Sequence, residues 1–166
     1  MAEWVMRLAT PADMPAVYAV YREAVDHMNA HGIPQWDDVY PAPALLDADL
    51  MRGELYVADA AGVVQAAVVL NEQSDPAYGD AEWLHKGPYT VVHRLCVSPA
   101  AQGQGVGRGL MVAVEAWAKE RGYSAIRLDA FSLNPHALRM YAGLGYERRG
   151  EAHWRKGLFY LLEKKL

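Results

Sequence analysis

The chain is short of basic charge, of cysteine and of long apolar runs. Its 16 Lys and Arg stand against 20 Asp and Glu, a net charge of −4, and no basic run appears. That excludes a nonspecific grip on nucleic-acid phosphates. The single cysteine, Cys96, cannot form an internal disulfide, which fits a reducing compartment. The longest nearly continuous apolar stretch, Val63 to Leu70, falls far short of the roughly 20 residues that a membrane helix needs. The opening MAEWVMR lacks the apolar segment of a signal peptide. A soluble cytoplasmic protein with neither a nucleic-acid nor a membrane partner is the expectation. A recognisable metal-binding motif is missing as well. His27 and His31 stand i,i+4, but HMNAH lacks the glutamate of the zinc-protease motif and no third ligand is evident, so no metal is expected.

What is present reads as one α/β domain over residues 1–166. The 166 residues, 52% of them hydrophobic, suffice for one domain with a real core. Thr10-Pro11-Ala12-Asp13 predicts a helix start with Thr10 as N-cap, Pro11 first and Asp13 in capping-box position. Met14, Val17, Tyr18, Tyr21, Val25 and Met28 follow at helical spacing, and Gly32 ends the run. A shorter helix is expected near Ala44 to Arg52. ELYVADA and VVQAAVVLNE read as strands around Ala61-Gly62. An irregular stretch from Ser74 to Pro88 precedes the strand YTVVHRLCVSP. A helix with Val106, Leu110, Ala113, Val114 and Trp117 on one face, and Glu115 paired with Lys119 on the other, ends at Gly122. The strand AIRLDAF, a short helix capped by Asn134, and strands near Glu147 to His153 and Leu158 to Lys164 complete a mixed sheet.

The segment SPAAQGQGVGRGL places four glycines, Gly103, Gly105, Gly107 and Gly109, immediately before or within a helix start. Glycine there supplies left-handed dihedrals or bare backbone amides, and bare amides at a helix start bind anions. A Walker loop requires Lys followed by Ser or Thr, and Arg108-Gly109 stands in their place. A dinucleotide fingerprint is harder to dismiss, because Asp129 lies about 20 residues on at a strand end. Against it, the glycines give no clean G-x-G-x-x-G, and Val97 is separated from Gly103 by five residues.

Gln102-Gly103-Gln104-Gly105-Val106-Gly107 matches Q/R-x-x-G-x-G/A, and NPHALRMYAGLGYERRGE follows downstream. In these two segments, in this order and at this distance, the chain resembles the GNAT superfamily of acetyl-CoA-dependent N-acetyltransferases, from about Val5 to Leu166. The resemblance implies a mixed, mostly antiparallel sheet of six to seven strands, splayed at the cofactor strand and flanked by about four helices.

The resemblance also implies roles. Backbone amides from Gly103 to Arg108, with Gln102, Gln104 and Val106 in the same loop, would hold the pyrophosphate of acetyl-CoA, and Arg108 would add charge. The strand HRLCV would pair with the pantetheine arm through Leu95, Cys96 and Val97, and an amide there would stabilise the oxyanion. For Cys96 a buried core thiol stands against an acetyl-cysteine intermediate. Asn134 becomes a CoA contact and Tyr141 the acid that protonates the departing thiolate. His93 is a candidate base, beside Glu82, His85 and Asp129.

The implied reaction is acetyl transfer to a primary amine of a small molecule, by direct attack in a ternary complex. Alternatives are a protein N-terminal or lysine acetyltransferase, or a non-catalytic acyl-CoA sensor. The loops GIPQWDDVYP and DPAYGDAEWLHKGPY would line the acceptor side. Trp36, Tyr40, Glu82, Trp83 and Asp129 are the substrate-contact candidates, with acidic groups among aromatics suited to a cationic amine. A homodimer is left open.

Overall fold

A computed structural model describes residues 3–166. Met1 and Ala2, where the stretch read for an apolar leader begins, lie outside the described residues. Seven strands form a sheet in the order β1-β2-β3-β4-β5-β7-β6. By contacts the chain divides into two compact units, Met1–Leu70 with Arg94–Ala113, and Asn71–His93 with Val114–Leu166.

The first unit contains β1 (Val5–Leu8), α1 (Met14–Ala30), α2 (Pro43–Met51), β2 (Leu55–Ala60) and β3, which runs Val63–Asn71. β1 pairs antiparallel with β2, and β2 with β3. The long apolar run is β3, whose Ala66, Ala67, Val68 and Val69 are fully buried. A strand covered on both faces needs no polar alternation, which is why this one reads as continuous hydrophobicity. Val17, Tyr21, Leu46, Val57, Val69 and Cys96 belong to one core cluster.

The expected first helix begins later than the sequence suggests. Pro11–Asp13 form a 3-10 turn, and α1 starts at Met14. The expected cap is present at this turn: Thr10 is its N-cap, Pro11 its first residue, and the Asp13 carboxylate accepts from the Thr10 N–H at 2.7 Å and from Arg7 at 2.7 and 2.9 Å. Arg7 also donates to Asp59 at 3.0 Å. The Arg7 hydrogen bond, aided by those from Thr10, holds the Asp13 carboxyl well below the usual carboxylate range. A depressed folded-state pKa stabilises at pH values above the unfolded one, about 4, and that stability is lost as the pH falls further. Asp13→Asn is therefore expected to cost on the order of 1 kcal/mol at neutral pH, about 2–4 °C in Tm. Thermal melts of the variant should show a shallower loss of Tm below about pH 4 than the wild type.

β4 (Tyr89–Val97) and α3 (Val106–Glu120) each run through both units. α3 buries Val106, Leu110, Met111, Val114 and Ala118. The buried face is thus rotated from the expected one, and Trp117 is only partly covered, with Arg121 stacked 4.3 Å from its ring centroid. The expected Glu115–Lys119 pair does not form. Glu115 instead accepts from Lys164 at 2.7 Å and from the Tyr146 hydroxyl at 3.0 Å. These tertiary partners sit beside a mostly buried carboxylate, where a charge-assisted bond outweighs an exposed helical pair. Gly109 is explained by packing, since a Cβ there would lie 2.9 Å from the Trp4 ring.

In the second unit β4 pairs parallel with β5 (Ala125–Phe131), from Tyr89↔Ala125 to Val92↔Leu128. The ladder stops there, leaving His93 and Asp129 beyond it. β5 pairs antiparallel with β7 (Gly157–Lys165), and β7 with β6 (Glu147–Trp154). α4 (Pro135–Gly143) is capped by Asn134, whose side chain accepts from the Ala137 N–H at 3.1 Å. A 3-10 turn, Pro76–Asp80, orders part of the stretch read as irregular. No described helix is long and apolar enough to cross a membrane.

Candidate active site

In the first unit, β4 ends at Val97 and the chain makes a 3-10 turn over Pro99–Ala101. Buried Ala101 and Val106 anchor the two ends of the exposed loop between them. Gly103 and Gly105 take φ 79° and 76°, left-handed values that other residues resist. The first helical bond runs from the Gly109 N–H to the Gly105 carbonyl at 2.9 Å. The six backbone amides from Gly103 to Arg108 donate to no protein group among the described residues. Consecutive unpaired amides at the positive end of a helix make an anion cradle. The Gln102 and Gln104 amide groups fold back onto the Val97 and Ala100 carbonyls, both at 3.4 Å, so these side chains support the loop.

Upstream of the cradle, Leu95 and Val97 are partly exposed and Cys96 is buried. The Cys96 thiol donates to the Val20 carbonyl of α1 at 3.7 Å, and burial pushes its pKa far up. A thiol held protonated in a core is a poor nucleophile, so the geometry favours the packing role over an acetyl-cysteine intermediate. Cys96→Ala should keep most of any transfer activity and cost roughly 1 kcal/mol from a small cavity. Acetylated Cys96 trapped by mass spectrometry in the absence of acceptor would contradict this.

Arg94 is a non-glycine residue at φ 53° in the middle of β4. Such a backbone costs about 1–3 kcal/mol and persists only where its surroundings impose it. Here Tyr21 donates its hydroxyl to the Arg94 carbonyl at 2.6 Å. The guanidinium reaches Asp49 of α2 through Nη2 at 2.7 and 2.8 Å and through Nε at 3.1 Å, and Nη1 donates to the Tyr40 hydroxyl at 3.1 Å. Burial pushes the Asp49 carboxyl up, with Arg94 opposing the rise. The guanidinium loses solvation on burial too, yet Tyr40 and Asp49 together keep it protonated. Trp36, expected at a substrate, is a core residue packed 5.8 Å from the Tyr21 ring and only 7% exposed. Tyr40 is committed to Arg94.

In the second unit, Tyr141 of α4 is buried, and its ring meets Tyr146 edge-on at 5.6 Å. Its hydroxyl makes no hydrogen bond among the described residues. Burial, with the nearby charge of Asp129, pushes its pKa well above the ordinary phenol value. The group therefore holds its proton at neutral pH and has it available to donate. Asp129 accepts from the Tyr78 hydroxyl at 2.7 Å, so it is hydrogen-bonded, in contrast to an open carboxylate base.

His93 Nε2 lies 2.7 Å from Asn71 Oδ1 and 2.9 Å from the Gln73 carbonyl. A backbone carbonyl only accepts, so Nε2 carries the proton and any basic nitrogen of the neutral ring is Nδ1. Trp83 donates its indole N–H to the Tyr78 carbonyl at 2.8 Å. The rings of Trp83 and Tyr89 both stack on Arg127, at 4.5 and 3.7 Å from its guanidinium carbon. The cation beside these aromatics is thus the chain's own. Glu82 is exposed, and its N–H pairs with the Arg149 carbonyl at 3.0 Å.

Two residues outside the sequence reading hold this loop. Buried Glu163 of β7 accepts from the backbone N–H groups of Leu84 and His85 at 3.0 and 3.4 Å and from Arg149 at 3.3 Å. Nothing in LLEKKL marks that glutamate as internal. Gly150 lies at a register shift in β6, where a Cβ would stand 2.9 Å from the Ala81 Cβ and 3.2 Å from its Cα. A glycine inside the strand ERRGEAHW is the signal that could have revealed it, because strand glycines mark bulges and close approaches. Gly150→Val should cost about 1–3 kcal/mol by overpacking, read as a drop in Tm.

Among the described residues no group of three or more His, Cys, Asp or Glu is placed to hold a metal ion. His27 and His31 stack with ring centroids 4.2 Å apart, and His31 Nδ1 lies 2.7 Å from the His27 carbonyl.

The sequence profile of the acetyltransferase (GNAT) family matches residues 17–146. The chain belongs to that family. An N-acetyltransferase 8F1 of Rattus norvegicus is 27% identical over 100 residues, 60% of this chain and 42% of the relative. An N-acetyltransferase 8B of Mus musculus is 28% identical over 107 residues, 64% of this chain and 42% of that protein. The chain thus spans about two fifths of the length of these curated relatives. Among solved structures, a GNAT-family acetyltransferase from Streptococcus agalactiae superposes with a TM-score of 0.86 at 21% identity, over 98% of this chain and 95% of that one. The PaiA N-acetyltransferase of Thermoplasma acidophilum, solved in complex with coenzyme A, gives 0.74 at 16% identity over 99% of each chain. The fold is the GNAT fold, with the mixed seven-stranded sheet and four helices.

Proposed function

We propose that the domain transfers an acetyl group from acetyl-CoA to a primary amine of a small molecule, by direct attack in a ternary complex. The observation that carries this reading is the run of unbonded amides from Gly103 to Arg108 at the start of α3, in a chain of this family. The cradle takes the pyrophosphate, with Arg108 adding charge at its rim. Leu95, Cys96 and Val97 offer backbone to the pantetheine amides in the manner of an added strand. An amide of this strand stabilises the tetrahedral oxyanion. Tyr141 donates its proton toward the departing sulfur. His93, through Nδ1, takes a proton from the acceptor nitrogen so that a neutral amine attacks the thioester carbonyl. Asn134 caps α4 and contacts CoA. Glu82, exposed on a loop fixed by Glu163, is the carboxylate that attracts a cationic acceptor.

The test is thiol release from acetyl-CoA with the purified chain against a panel of small amines, with peptides bearing free N-termini or lysines as a second arm. Turnover with a small amine, first order in enzyme, supports the reading. Turnover with peptides alone would move the acceptor to the protein class. Tight acetyl-CoA binding without turnover on any acceptor would leave an acyl-CoA sensor.

A further inference from the structure

The left-handed backbone at Arg94 is held from three sides, and what it precedes is the stretch Leu95–Val97. Tyr21 fixes the Arg94 carbonyl, Asp49 takes the guanidinium by three hydrogen bonds, and Tyr40 accepts a fourth. The Arg94 and Asp49 side chains are 10% and 1% exposed, so neither is spending its charge on solvent. A buried ion pair is seldom a net source of stability, because desolvation offsets the attraction. A residue type that resists φ 53° is thus combined with an ion pair of little net stabilising value. Strain of this kind persists where the surroundings over-determine it and clusters where a backbone has to be presented in one orientation.

We propose that Arg94, locked by Asp49, is a positioning residue: it holds β4 in its left-handed step and so aims the Leu95–Val97 backbone at the pantetheine arm. This rests on the acetyl-CoA reading above. Arg94 itself touches no substrate in this scheme. It acts through the backbone that follows it. An arginine is suited to the task because its planar fork fixes two directions at once, toward a carboxylate and toward a hydroxyl, where lysine would fix one.

Two double variants separate the backbone from the ion pair. Asp49→Asn/Arg94→Gly and Asp49→Asn/Arg94→Val both lose the pair without leaving a buried charge. They differ in how readily residue 94 takes positive φ, which is easy for glycine and strained for a β-branched residue. Acetyl-CoA affinity by calorimetry should be about tenfold or more weaker in the valine variant than in the glycine variant, the factor matching the left-handed penalty. Backbone amide chemical shifts of residues 95–97 in the ligand-free protein should stay near wild type with glycine and move with valine. Should the valine variant fail to fold, Asp49→Asn/Arg94→Ala replaces it, with the same ordering expected. Equal affinities and equal shifts in the two variants would overturn the proposal. If the wild type binds no acetyl-CoA, the functional reading fails, while the amide shifts still decide the role of Arg94.

Discussion

Gly107→Glu is expected to weaken acetyl-CoA binding by at least 100-fold, a loss of about 3 kcal/mol or more, while the protein stays folded. Gly107 is the second residue of α3 and its φ is not left-handed. The backbone therefore accepts a side chain, and an acid in the first turn of a helix is mildly stabilising. The same carboxylate would stand among the unpaired amides of Gly103 to Arg108, satisfying the donors the pyrophosphate needs and repelling it. Gly105→Glu is a less clean probe. At φ 76° any side chain is strained, so a loss of binding there would mix backbone strain with competition. Calorimetry of the Gly107 variant with near-normal affinity and an unchanged thermal midpoint would show that the anion sits elsewhere.

Tyr141→Phe is expected to slow the chemical step by roughly 10²–10⁴-fold, the range for general acid catalysis, with CoA affinity almost unchanged. The structure makes this substitution unusually clean. The Tyr141 hydroxyl has no hydrogen-bond partner among the described residues, so its removal orphans no donor or acceptor, and the ring keeps its edge contact with Tyr146. The pH dependence follows from two groups. Burial and Asp129 raise the phenol's pKa, so Tyr141 keeps its proton across the working range and wild-type turnover should not fall from its ionisation near pH 10. The CoA thiol ionises near that of cysteine, about 8.5. The deficit of the variant should therefore shrink above that pH, where thiolate leaves without help. Wild-type turnover by Tyr141→Phe at neutral pH, with chemistry shown to be rate-limiting, would remove Tyr141 from the acid's place.

Most elements were legible because they depend on local signals. The helix from Asn134 and Pro135, the strands around Ala61-Gly62 and the glycine loop all carry caps, turns or periodicity that neighbours in sequence enforce. What misled were partners distant in sequence. Glu115 looked toward Lys119 one turn away, and burial beside Tyr146 and Lys164 redirected it. Gly109 belonged by spacing to the anion loop, and by contact it belongs to Trp4. The acceptor side was the least legible part. Trp36 and Trp83 share the look of exposed loop aromatics, yet one is core and the other stacks on Arg127. Arg94 and Glu163 gave no signal at all, since a charged residue in a strand is ordinarily solvated and only the fold reveals its buried partner.

The central claim is that the amides of Gly103 to Arg108 grip a pyrophosphate, and a calorimetric comparison of acetyl-CoA with acetyl-pantetheine tests it most directly. Both carry the thioester and the amide-bearing arm, and only acetyl-CoA carries the nucleotide and its pyrophosphate. The account predicts that acetyl-CoA binds the wild-type chain at least 100-fold more tightly, about 3 kcal/mol or more, and that Gly107→Glu erases most of the difference. Equal affinity for the two ligands, or no binding of acetyl-CoA, would contradict it.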